Sequence, residues 1–65
     1  MSSEIGDAAG KVWTYLNDNG EVATSALVRK VGLSRDEAHR ALGWLAREGK
    51  LQFDTANGVE KVRLR

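Results

Sequence analysis

The sequence predicts a small α+β domain: three helices with a short strand between the first two, then a C-terminal two-stranded β-hairpin. Three observations carry that expectation. Apolar residues recur at helical spacing as far as residue 48 and then switch to strict alternation. Ser34-Arg35-Asp36-Glu37 has the pattern of a capping box, in which a serine caps the N–H three residues on and a glutamate reaches back. Asn57-Gly58, in the middle of the alternating stretch, is a preferred pair for a type I′ hairpin turn.

The first helix is expected over about 3–19. Ile5, Ala8, Ala9, Val12 and Leu16 define its apolar face, with Trp13 at the edge and Tyr15 on the other flank. Asn19-Gly20 stops it, because glycine takes the left-handed conformation at low cost. Gly6 and Gly10 lie together away from that face and read as a weak first turn rather than a place where another backbone packs. Glu21-Val22-Ala23 is a stub of strand. Thr24 is the expected N-cap of a short second helix over 24–31, with Ala26, Leu27, Val28 and Val31 apolar and Gly32 the stop.

The capping box opens a third helix over 34–48, with Ala38, Ala41, Leu42 and Leu45 as its buried face and Gly49 as its end. Asp36, Arg40, Gly43 and Arg47 point nearly opposite, at about 100° per residue. Over 50–65 a two-residue turn at Asn57-Gly58 pairs Ala56 with Val59, Asp54 with Lys61, Phe53 with Val62 and Leu51 with Leu64. Turn chemistry and hydrophobic alternation therefore give one register. The expected core is Ile5, Val12, Leu16, Leu27, Val31, Leu42, Leu45, Leu51, Phe53, Val62 and Leu64.

With 65 residues the chain is a single domain, 1–65, near the lower limit for independent folding. There is no cysteine and one histidine, His39, so neither a disulfide framework nor a metal centre is expected. No apolar run approaches the ~20 residues of a membrane span, and the N-terminus lacks the look of a signal peptide, so a cytoplasmic protein is expected. The formal net charge is +1, but the cations gather in the second half: residues 1–33 carry a net −1 and residues 34–65 a net +2.

Helix, short strand, helix, turn, helix and hairpin is the order of a winged helix-turn-helix domain, and the chain resembles that superfamily over nearly its whole length. Leu42-Gly43-Trp44-Leu45-Ala46-Arg47-Glu48-Gly49-Lys50-Leu51 resembles the superfamily's third-helix ending, running through a charged pair and a glycine into the first wing strand. Ala9-Gly10-Lys11-Val12-Trp13 and Ala41-Leu42-Gly43-Trp44-Leu45-Ala46-Arg47-Glu48 are similar to a family of small stand-alone winged-helix proteins of bacteria and archaea without an established function.

In a helix-turn-helix the second helix of the motif enters the major groove with its N-terminal residues nearest the base edges. Here it presents Arg35, Asp36, His39, Arg40 and Gly43. Arg40 has the donors to read a guanine edge, Arg47 reaches a phosphate, and Ser34 with the helix N-terminus receives another. Lys61, Arg63 and Arg65, on the outer face of the wing, follow the backbone. Duplex DNA is the expected partner and DNA binding, as in a transcriptional regulator, the expected role. A competing explanation pairs Asp36 with Arg40 on a solvated helix face, and the two acids Asp36 and Glu37 oppose a phosphate. His39 reads as a partly exposed flank residue. Trp44 is expected to cover the core edge under the hairpin. Its alternative is an exposed anchor beside Gly43 for a second copy or a protein partner, making the domain an interaction or dimerisation module. No nucleophile has a base at recognisable spacing and no glycine-rich loop carries a phosphate-binding lysine, so no enzyme, cofactor or small-molecule substrate is expected.

Overall fold

The computed structural model describes the backbone over 4–65 and side chains from Gly6 onward. Six elements follow in order: α1 (Glu4–Asn19), β1 (Val22–Ala23), α2 (Thr24–Lys30), α3 (Arg35–Arg47), β2 (Leu51–Ala56) and β3 (Val59–Leu64). The three expected helices and both hairpin strands are present within a residue or so of their expected ends. Residue 3, where the first helix was expected to begin, and the Ile5 side chain, expected in the core, lie outside the described residues.

Local chemistry sets the helix ends. Ser34 Oγ accepts from Glu37 N at 3.2 Å, and Ser34 N donates to Glu37 Oε1 at 3.3 Å, so the capping box is closed in both directions. At the far end of α3, Gly49 N donates to Ala46 O and Lys50 N to Leu45 O, each at 3.0 Å. That is the Schellman arrangement, and it needs the left-handed φ of +72° that Gly49 adopts. The start of α2 differs from expectation. Ala23, not Thr24, is its N-cap, and no side chain caps it. The cause is pairing: Val22 and Ala23 are held extended against β3, and the chain turns helical directly after the last paired residue.

The sheet order is β1-β3-β2, all antiparallel, so β3 is the central strand. The hairpin register is the one read from the sequence: Ala56 faces Val59, Asp54 faces Lys61, Phe53 faces Val62 and Leu51 faces Leu64. Asn57 and Gly58 both take positive φ, +54° and +77°, as a type I′ turn requires. Arg65 N donates to Lys50 O at 3.0 Å and closes the base of the hairpin.

The core gathers Ala8, Ala9, Val12 and Leu16 of α1, Leu27 of α2, Ala41, Leu42 and Leu45 of α3, Leu51 of β2 and Val62 of β3. Val31 and Leu64 are half-buried against it. Two expectations about burial are corrected. Phe53 is 37% exposed although its partner Val62 is fully buried. Along β2 only Leu51 is buried and exposure begins at Phe53, because the strand runs out from under the helices toward its turn. Trp44 is 40% exposed. Its place on α3 carries it to the flank beside α1 rather than beneath the hairpin, and there it lines a hollow with Trp13. At Gly10 an added Cβ would meet nothing within 4 Å, so among the described residues no second backbone packs there.

Candidate nucleic-acid interface

The exposed surface of α3 divides into three sectors at about 100° per residue. Asp36, Arg40, Gly43 and Arg47 form a ridge opposite the buried Ala38, Ala41, Leu42 and Leu45. Arg35 and His39 lie on one flank, and Glu37 and Trp44 on the other. At Gly43 an added Cβ would meet nothing within 4 Å, so the ridge is low and open there. The pairing of Asp36 with Arg40 does not form: Arg40 makes no ion pair among the described residues.

The Arg35 and His39 flank opens into a cleft of about 670 Å³. Its other walls are Ser25, Val28 and Arg29 of α2 and Gly58, Val59 and Glu60 at the hairpin tip. Thr24 also lines it, with a buried Oγ1 that has no hydrogen-bond partner among the described residues. Arg29, Ser25 and the hairpin tip were not read as site residues from the sequence. Ser25 and Arg29 are four apart on the polar side of a short helix, an unremarkable pattern until the packing of α2 against β3 brings it beside α3.

The opposite flank holds Glu37, one of the two acids expected to oppose a phosphate. Glu37 is spent on the capping box and turned toward α1. The hydrogen bonds from Ser34, side chain first and then backbone, hold its carboxyl below the usual range, and the charges of Lys11 and Arg40 add to this. Asp36 alone remains on the ridge. Further along the same flank, Trp44 shares a hollow of about 400 Å³ with Gly6, Gly10, Trp13 and Lys50.

The basic stripe is placed apart from these groups. Lys61 and Arg63 alternate with the buried Val62, so they stand on the sheet face turned away from the helices. Arg65 follows at the hairpin base, exposed. The structure thus brings Arg35 and His39 together with the hairpin tip and lines up Arg40 with Arg47. It does not bring Lys61, Arg63 or Arg65 beside them. Ser34 is committed to its cap.

A family model described as a winged helix-turn-helix domain (DUF2582) matches residues 1–64. The chain belongs to this family. Among its relatives is an uncharacterised protein of the archaeon Methanocaldococcus jannaschii, MJ1608, 39% identical over 54 residues, which are 78% of this chain and 76% of that protein. The solution structure of BT2368 from Bacteroides thetaiotaomicron superposes with a TM-score of 0.83 at 39% identity, covering 94% of this chain and 74% of the other. The Zalpha domain of PKZ from Carassius auratus, solved in complex with Z-DNA, superposes with a TM-score of 0.80. It is 19% identical, with 97% of this chain and 100% of that one covered, a likeness that shows the fold. In this family's terms β2 and β3 are the wing, α2 and α3 the helix-turn-helix, and the cleft lies where wing tip and third helix meet. Among the described residues no helix is long and apolar enough to cross a membrane.

Proposed function

We propose that this winged-helix protein binds duplex DNA, laying the ridge of α3 along the major groove. The observation that carries the reading is the shared cleft: the wing tip and the N-terminal half of α3 line one concave surface, so a duplex seated on α3 is within reach of the wing. Arg40 forms no ion pair among the described residues, and Gly43 leaves the ridge low enough for close approach. A domain of the same fold, the fish PKZ Zalpha domain, is solved in complex with Z-DNA, which supports duplex DNA as a ligand this scaffold accepts. A regulatory role in transcription is the finer form of the proposal.

The test is a fluorescence anisotropy titration of random-sequence duplex DNA at several salt concentrations. Log affinity should fall linearly with log salt, with a slope of about −0.9 per neutralised phosphate. Arg40→Ala should change preference among sequences more than it changes that slope, since a base-edge contact discriminates by ~1–3 kcal/mol. Absence of binding at ~50 mM salt, where the Debye length is long, would remove the reading.

One observation favours a second reading. Trp13 and Trp44 are 42% and 40% exposed in one hollow, on the side of α3 away from the cleft. Half-open tryptophans beside glycines suit a protein partner or a second copy, and such a contact would leave the cleft free.

A further inference from the structure

We propose that the cleft between α2, α3 and the wing tip is a phosphodiester seat, built from Arg29 and Arg35 with the His39 ring N–H as a third donor. This deepens the DNA-binding reading, and rests on it for the source of the phosphodiester. Three separate elements supply the walls, so the site exists only in the folded domain. Arg29 and Arg35 form no ion pair among the described residues, although Glu60 lines the same cleft. Their guanidinium forks are thus free to meet phosphate oxygens bidentately. Val28 and the 44% exposed Val59 supply apolar surface beside the charges, which displaces water and strengthens the attraction. The volume of about 670 Å³ accommodates a backbone phosphate with its flanking sugars.

His39 completes the donor set of the seat. The charged groups facing it are Arg35 from its own helix, Arg29 from α2 and Glu60 from β3. The seat thus holds two arginine cations against one carboxylate. Lys30, next in sequence to Arg29, lines a different hollow with α1 residues and serves as a matched control.

Two probes test the proposal on the whole protein: random-sequence duplex DNA by anisotropy, and dimethyl phosphate by NMR. Arg29→Ala and Arg35→Ala should each weaken duplex binding about five- to tenfold at ~50 mM salt and reduce the salt slope by about one. Lys30→Ala should weaken it less than about twofold, as expected of long-range charge alone. Dimethyl phosphate should shift the amides of Arg29, Arg35 and His39. His39→Ala should weaken duplex binding about threefold, as expected for the loss of one hydrogen-bond donor. If duplex binds but Arg29→Ala and Arg35→Ala behave like Lys30→Ala, the seat is overturned and the DNA reading stands. If duplex fails to bind while dimethyl phosphate still shifts the cleft, the seat stands and the DNA reading falls. Silence from both probes overturns both, and a His39→Ala protein that binds like the parent removes His39 from the seat.

Discussion

Replacing Leu27 by alanine tests the packing that holds the helix-turn-helix to the sheet. Leu27 is fully buried and is the one fully buried side chain among the described residues of α2. Its neighbours in the core come from α1, α3, β2 and β3. The change removes three carbons, worth about 0.8 kcal/mol each in transfer alone, or about 2.4 kcal/mol together. A closed site with 0% exposure leaves a cavity, which brings the cost to ~3–4 kcal/mol. A domain of this length has roughly 3–10 kcal/mol in total, so a large fraction is lost. At ~4–8 °C per kcal/mol the melting temperature should fall by roughly 12–30 °C. The assay is a circular dichroism melt beside Val59→Ala, whose parent side chain is 44% exposed and whose loss should cost within ~0.5 kcal/mol. A Leu27→Ala protein melting within about 3 °C of the parent, or a Val59→Ala protein losing as much, would refute the placement of the core.

Ser34→Ala should cost about 1 kcal/mol by opening the capping box. It should also return the Glu37 carboxyl toward its usual value in an NMR titration, because the Ser34 hydrogen bonds are the leading cause of its depression. The sign follows from that depression. Glu37 adds stability above the ordinary carboxylate range, and the contribution is lost as pH falls through its lowered folded value, so the variant's stability should depend less on acid pH. Trp44→Ala should leave a cooperatively folding domain, at a cost of ~1–2 kcal/mol, since a half-open side chain leaves no closed cavity. Collapse of the fold on that change, seen by the same melt, would put Trp44 back in the core.

Much of the fold was legible because several signals in this chain are redundant. The hairpin register is given twice, by Asn57-Gly58 and by the alternation of Leu51, Phe53, Val62 and Leu64, and both agree with the observed pairing. The start of α3 is fixed by two residues that bond each other. Legibility stopped where the answer depends on which element covers which. Phe53 has the alternation of a core residue, but no periodicity reveals that the helices end short of it. Thr24 has the chemistry of an N-cap, and strand pairing by Val22 and Ala23 moved the cap back one residue. At the candidate site, Arg35, His39, Arg40 and Arg47 could be placed by helix geometry alone. Arg29 could not, because its meeting with α3 is made by tertiary packing. Lys61 and Arg63 were correctly placed on an outer strand face, but the direction of that face relative to α3 is a property of the whole sheet.

Mapping amide shifts on adding random-sequence duplex DNA at ~50 mM salt tests the central claim most directly, since attraction to phosphate is strong there. Binding by the α3 ridge and its cleft should shift residues 35–47, Arg29 and the wing tip at 58–60, and leave Lys61, Arg63 and the Trp13 side of α1 nearly unchanged. Shifts confined to the Trp13 and Trp44 hollow, or no shifts at all, would contradict it.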